Sequence, residues 1–321
     1  MQAAVVRELG RPPNWEPFDD PVPVPGETIV SVRAAAVSPL VLTRSSGAHY
    51  SADTKPPFVA GVDGVGRTPD GRRVYFGFPR APFGSLAEHA PVPEESLIPV
   101  PEALEDVTAA AAAIPGMSCW IPLTTIARIP PGESVLVNGA TGAAGRMAIQ
   151  CARHLGARRV IATGRDESQF ADLTELGADR VLSLGLPPDQ LRAAVREEAR
   201  DSAIGVVLDY VWGASAESIL SALGGPNAPR GPSRLRYVQA GALAGDRLTL
   251  SSASLRSSGL EIVGTGIGSS SPAALRQGIR AFLEAFAPAG FRVGTEARSM
   301  AEVAHFWGST GGARRLVFTL P

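Results

Sequence analysis

Three glycines and one arginine carry the most specific chemistry in the chain. In VLVNGATGAAGRMAIQCARHLGARRVIATGRD, residues 135–166, Gly139, Gly142 and Gly145 recur between an apolar run and a helix-like pattern. A sharp turn first needs a residue free of a Cβ penalty. A bare middle position lets amide groups and a helix N-terminus approach a pyrophosphate, and a third glycine allows close helix–strand packing. The side chains in between, Ala140, Thr141, Ala143 and Ala144, are small. A strand before, a helix after and a second strand about twenty residues on make the pattern a predicted dinucleotide site. That second strand ends at Gly164 and Arg165. Gly164 stands where an NAD site places Asp or Glu, and the Arg165 guanidinium can grip a 2′-phosphate with two bonds. Asp166 is the acidic rival, but its spacing to Gln169 is that of a capping box, which assigns it to the next helix. The expected cofactor is NADP(H). Ser118, ahead of the turn, and Tyr210 and Gly241, at later strand ends where ligands of parallel sheets gather, are further candidate cofactor contacts. Trp120 is read either as a wall near the nicotinamide or as core, and Asp209 as structural.

Other chemistries find little support. Lys55 is the only lysine in the chain. Ser51 stands four residues before it, so a Tyr-x-x-x-Lys pair is missing, and Arg146 follows Gly145 where a phosphate-loop ATPase needs lysine. The four histidines, His49, His89, His154 and His305, are too far apart for helix-type metal spacing. The two cysteines, Cys119 and Cys151, cannot form a four-thiolate zinc lobe; they could pair, although a cytosolic chain keeps thiols reduced. A net charge of −1 gives no reason to expect a nucleic-acid partner. The longest apolar stretch, VTAAAAAIPG, reads as too short and too weak to span a bilayer, and with no leader visible the expectation is a cytoplasmic protein without membrane attachment.

The elements that must position these residues follow from periodicity. The first hundred residues hold short strand-like runs such as AAVVREL, ETIVSVRAAAV and RRVYFGF between turn signals, a β-rich pattern. EALEDVTAAAAAI reads as a helix interrupted at Pro115-Gly116, with a second helix in SCWIPLTTIARI. From SVLVNG onward, strand and helix alternate, which predicts a parallel sheet covered on both faces. SSASLRSSG and GSSSP read as polar loops, and the tail as helix, strand, helix, strand.

The ordered set of motifs resembles the medium-chain dehydrogenase/reductase superfamily, and within it the zinc-independent quinone oxidoreductases related to zeta-crystallin. The resemblance rests on AAAVSPLVLTRSSG, VAGVDGVGRTPDGRRVYF, IPGMSCW followed by PPGESVLVNGATGAAG, LGADRVLSL, GVVLDYV and LEIVGTGIG. It implies an α/β fold with a Rossmann-type doubly wound parallel sheet and a β-rich, GroES-like catalytic domain with a partly open barrel. The implied domains are residues 1–113 and 268–321 for the catalytic part and 114–267 for the NADP-binding part. It also implies a homodimer paired through the strand LEIVGTGI. Relative to zinc alcohol dehydrogenases, Ser38 takes a cysteine's place and Gly61-Val62-Asp63 that of Gly-His-Glu, so no metal is expected. Val41 replaces an expected Asp. Gln169 replaces a lysine of some relatives, with Arg165 as its substitute.

Without zinc, the implied reaction is NADPH-dependent hydride delivery to an already electrophilic acceptor, a quinone or an α,β-unsaturated carbonyl. Tyr50, in the loop after SSGAH, is the first candidate proton donor, with a pocket-wall role as its competitor; Ser38 and Thr43 are others. Asp63 is read as holding its turn rather than as a general acid. Cys119 as a nucleophile has little support. An enoyl-thioester reductase and a non-catalytic NADPH-binding regulatory or structural protein are the alternatives.

Overall fold

The computed structural model describes residues 1–52, 54–224, 228–229, 234–309 and 313–320. In chain order the strands and helices begin with β1 (Gln2–Val6), β2 (Asn14–Pro17), β3 (Glu27–Ala36), α1 (Pro39–Ser45), β4 (Phe58–Val59), β5 (Asp63–Arg67), β6 (Arg73–Gly77), β7 (His89–Pro93) and β8 (Ile98–Pro99). Then come α2 (Asp106–Ile121), β9 (Ser134–Asn138), α3 (Ala143–His154), β10 (Arg159–Gly164), α4 (Phe170–Glu175), β11 (Arg180–Ser183), α5 (Pro188–Ser202) and β12 (Ile204–Asp209). The chain continues with α6 (Gly213–Leu223), β13 (Leu235–Gln239), α7 (Ser252–Ser258), β14 (Leu260–Gly264), α8 (Pro272–Phe286), β15 (Gly294–Ser299), α9 (Val303–Phe306) and β16 (Arg314–Thr319). It divides into two compact units: residues 1–114 with 279–321, and residues 115–278. The second unit therefore runs past residue 267, the boundary expected from the sequence, into α8.

The second unit is built on a six-stranded sheet in the order β11-β10-β9-β12-β13-β14, every pair parallel. That is the doubly wound order in which the direction of winding reverses between the first and fourth strands, here β9 and β12. Both strands are buried along their whole length, which explains their continuous apolar, β-branched sequences. The first unit holds a three-stranded sheet, β2-β1-β4, and a larger one in the order β15-β16-β3-β5-β6-β8, with β7 also paired to β3. Its core joins valines of β1, β3 and β6 to Phe58, Phe76, Leu86 and Phe318.

Two local expectations are corrected. Pro115 does not end a helix: α2 runs through it and continues as a π-helical turn, Pro122–Ile126. Ala109 to Ala113 and Cys119 are fully buried, so tertiary packing holds the segment helical despite the amide that proline lacks. The helical run Asp106–Ile126 is, by length and a mean hydropathy of 1.3, long and apolar enough to cross a membrane, and 61% of its apolar window is buried inside the protein. Core packing accounts for its composition. The other correction is SSASLRSSG, which folds as α7. The Ser251 hydroxyl caps its start by accepting from the Ala253 amide, and Gly259 closes it in the left-handed region at φ 60°.

Candidate functional site

The glycine turn joins β9 to α3, and each glycine answers to a different constraint. Gly139 lies at φ +88°, and a Cβ there would come within 2.4 Å of Val211. At Gly145 a Cβ would meet the Ala140 Cα and the Gly139 carbonyl oxygen at 2.5 Å, so the helix can seat on the strand only without one. Gly142 differs from both: a Cβ there would meet nothing within 4 Å. It is the N-cap of α3, no side chain caps that helix, and no acidic residue stands in its first turn. An uncapped helix N-terminus facing open space is a place for an anion to accept backbone hydrogen bonds. The residues therefore fit a dinucleotide pyrophosphate, with Thr141, Gly142, Ala143 and Ala144 half-buried around the opening.

Not every position predicted in the turn is open to a ligand. The Gly139 amide donates to the Thr163 hydroxyl at 3.0 Å, and the Ala140 amide to the Thr163 carbonyl at 2.7 Å. Ala140 is fully buried. These two residues shape the turn, and the first turn of α3 is left to bind. Arg146 braces it from behind: its guanidinium donates to the Thr141 carbonyl, to Gln169 and to Asp172.

The end of β10 separates the two candidate nucleotide-recognition residues. Gly164 is buried, and a Cβ there would meet Thr141 at 2.7 Å and Phe170 at 3.2 Å, so packing requires this glycine. Asp166 spends its carboxylate locally. One oxygen accepts from the Ser168 amide and hydroxyl, the other from the Gln169 side chain at 2.6 Å. These hydrogen bonds, from Ser168 first, hold its carboxyl below the usual range. Asp166 thus caps the following turn, as its spacing predicts. Arg165 is exposed, and among the described residues no hydrogen bond or ion pair engages it.

Behind the turn lies a buried polar network that sequence reasoning left unassembled. Thr163 donates to Asn138 at 2.7 Å, and Asn138 donates to Asp209 at 2.7 Å and Ser215 at 3.0 Å. Asp209 also accepts from the Tyr237 hydroxyl at 2.6 Å and from the amides of Val211 and Trp212. Burial, helped by the Asp209 charge, pushes the Tyr237 phenol well up. These bonds tie together β9, β10, β12 and β13 and hold Trp212 at a positive φ of 60°. The signal was a polar residue at or near the end of each buried strand: Asn138, Thr163 and Asp209.

Tyr210, Ser118 and Gly241 are drawn into packing. The Tyr210 hydroxyl donates to the Ser118 carbonyl at 3.0 Å, and burial pushes its phenol well up. The Ser118 hydroxyl donates back to Pro115 at 2.8 Å. A Cβ on Gly241 would sit 2.7 Å from the Tyr210 carbonyl oxygen. Trp120 lies along His154, with ring centroids 5.9 Å apart.

The first unit carries the other candidates. Ser38 is buried and accepts from the Val41 amide at 3.2 Å as the N-cap of α1. The Thr43 hydroxyl donates to the Pro39 carbonyl at 2.8 Å within the same helix. Both hydroxyls therefore have structural partners. Tyr50 is 75% exposed, its ring 4.2 Å from that of His49. Burial, then the nearby Arg44 charge, lowers the His49 pKa. Beside this loop a cavity of about 230 Å³ is lined by Val41, Arg44, Phe58, Val62, Phe78 and Phe83. Arg44 there donates to Ser51 at 2.6 Å.

Asp63 is fully buried on β5 and accepts from the Tyr75 hydroxyl at 3.1 Å. Its other oxygen has no protein partner, nor do two nitrogens of the buried Arg315 guanidinium on β16. Burial raises the Asp63 carboxyl to about 7 against the opposing effects of Arg315 and Tyr75. Zinc does not fit the residues present. Val62 offers no donor atom, Ser38 serves as a helix cap, and among the described residues no group of three or more His, Cys, Asp or Glu side chains could hold a metal ion.

The family profile described as zinc-binding dehydrogenase matches residues 143–284. A probable NADPH-dependent quinone reductase of Emericella nidulans is 30% identical over 282 residues, covering 76% of each chain. Prostaglandin reductase-3 of Mus musculus is 28% identical over 283 residues, covering 80% of this chain and 71% of that protein. Among solved structures, the quinone oxidoreductase of Thermus thermophilus, studied also as its complex with NADPH, superposes with a TM-score of 0.79 at 27% identity, covering 100% of both chains. With the doubly wound sheet, the glycine turn and the replaced zinc donors, these matches place the chain in the zinc-independent quinone oxidoreductase family of the medium-chain dehydrogenase/reductase superfamily.

Proposed function

We propose that the protein is an NADPH-dependent oxidoreductase that reduces quinones or α,β-unsaturated carbonyls. The observation that carries the cofactor choice is the end of β10, where Asp166 is spent on capping and Arg165 is an exposed cation that no hydrogen bond or ion pair engages among the described residues. Residues 115–278 serve as the nucleotide domain, and residues 1–114 with 279–321 as the catalytic domain. The α3 N-terminus holds the pyrophosphate, and Arg165 grips the 2′-phosphate. Bound NADPH supplies the hydride. The cavity lined by Phe58, Phe78 and Phe83 together with Arg44, Ser45 and Thr54 takes a small acceptor with both apolar and polar faces. With no Lewis acid at Val62 and Ser38, that acceptor must already be electrophilic. Tyr50 and water are the proton sources for the reduced product. Strand β14 ends the six-stranded sheet, with Val263 38% exposed, and edge pairing there would make a homodimer.

Following NADPH absorbance against quinones, small enones and enoyl thioesters tests the activity. Oxidation of NADPH by a quinone or an enone is expected, and none with any acceptor would leave only a nucleotide-binding protein. The variant R165S tests recognition. Loss of two charge-assisted bonds at an exposed site costs about 1–3 kcal/mol, so NADPH binding falls roughly 10- to 100-fold while NADH binding is unchanged. A parent protein that prefers NADH would overturn the assignment.

A further inference from the structure

Helices α2 and α3 bring the chain's two cysteines together inside the second unit. Cys119 and Cys151 are both fully buried, and their sulfurs are 3.5 Å apart. The Cys119 thiol also donates to the Gly116 carbonyl at 3.4 Å. The rings of Trp120 and His154, each close in sequence to one cysteine, make a further contact between the two helices, with centroids 5.9 Å apart and a tilt of 31°. Cys151 lies about two turns along α3 from the glycine turn. Hydride transfer uses neither sulfur.

We propose that Cys119 and Cys151 form a peroxide-sensitive dithiol that closes to a disulfide and ties α2 to the nucleotide-binding helix α3. A disulfide needs the sulfurs about 2.05 Å apart, so the pair must close by roughly 1.5 Å and give up the Gly116 contact. The oxidant is hydrogen peroxide. One thiol loses a proton, and its sulfur attacks a peroxide oxygen to give a sulfenic acid and hydroxide, which takes up that proton as water. The second thiol then displaces water from the sulfenic acid. In sum, two thiols and one peroxide give one disulfide and two waters, with two electrons passing from sulfur to oxygen.

The surroundings set the speed of this step. Burial first, then Cys119, pushes the Cys151 thiol well up. Among the described residues Tyr210 also interacts with the pair, and burial first pushes its phenol well up. Attack by the Cys151 sulfur is therefore slow at neutral pH and speeds up by roughly tenfold per pH unit as its thiolate forms.

The test is mass spectrometry of the folded, full-length protein after exposure to hydrogen peroxide, with free thiols alkylated under denaturing conditions. Expected are a loss of about 2 Da, two unalkylated cysteines and a peptide linked through positions 119 and 151, formed faster at higher pH. C119S and C151S should each abolish the linkage. Two alkylated cysteines after treatment, added oxygen without a link, or a link formed only in denaturant would each overturn the proposal. Because the linked peptide is read on the parent protein, the test holds even if a serine variant fails to fold.

Discussion

Adding one methyl group at two neighbouring glycines should separate the fold from cofactor binding. In G145A the new carbon would lie 2.5 Å from the Ala140 Cα and from the Gly139 carbonyl oxygen, both backbone atoms that cannot swing aside. The helix must lift from β9, and overpacking of this kind costs about 1–3 kcal/mol. In G142A the new carbon meets nothing within 4 Å, and the backbone at φ −78° suits alanine. Alanine is a poorer N-cap than glycine, which limits the stability loss to about 1 kcal/mol or less. The methyl would instead occupy the space at the uncapped end of α3 that the pyrophosphate needs. Losing one charge-assisted backbone hydrogen bond there costs about 1.5–3 kcal/mol, or roughly 10- to 100-fold in Kd. Urea denaturation and titration of NADPH fluorescence read the two effects separately. Parent-like NADPH affinity in G142A would refute this account of the turn, as would parent-like stability in G145A.

Asp63 should make stability depend on pH. Its carboxyl sits at about 7 in the folded protein against an ordinary 3.8, so the folded state holds its proton more tightly. The resulting stabilisation is complete below about pH 4 and is lost as pH rises toward 7, a change on the order of 4 kcal/mol. D63N should flatten that part of the stability profile, and a slope equal to the parent's would count against the buried neutral acid. D209A should destabilise by about 2–3 kcal/mol, because it leaves the buried Tyr237 hydroxyl without its acceptor and removes one acceptor of Asn138 and that of two amides; a change below about 1 kcal/mol in a denaturation curve would contradict the network. Y50F should keep NADPH binding and lower enone turnover by less than about a hundredfold, since water can reach a phenol that is 75% exposed. Unchanged turnover would remove Tyr50 as a donor.

Local patterns made much of the second unit legible. Strand–helix alternation, the three glycines and the cap at Asp166 are each encoded within a few residues, where backbone sterics and short-range hydrogen bonds decide the outcome. The sequence by itself therefore determined the parallel sheet and the glycine turn between β9 and α3. Tertiary structure decided the rest. Pro115 reads as a helix breaker until the burial of its neighbours is known, and SSASLRSSG reads as a loop until a serine and a glycine cap it. Thr163, Asn138, Asp209 and Tyr237 lie far apart in the chain and become one network only when their strands stack side by side. The same holds for Asp63 with Arg315 and for Cys119 with Cys151: desolvation and proximity belong to packing, which no local pattern carries.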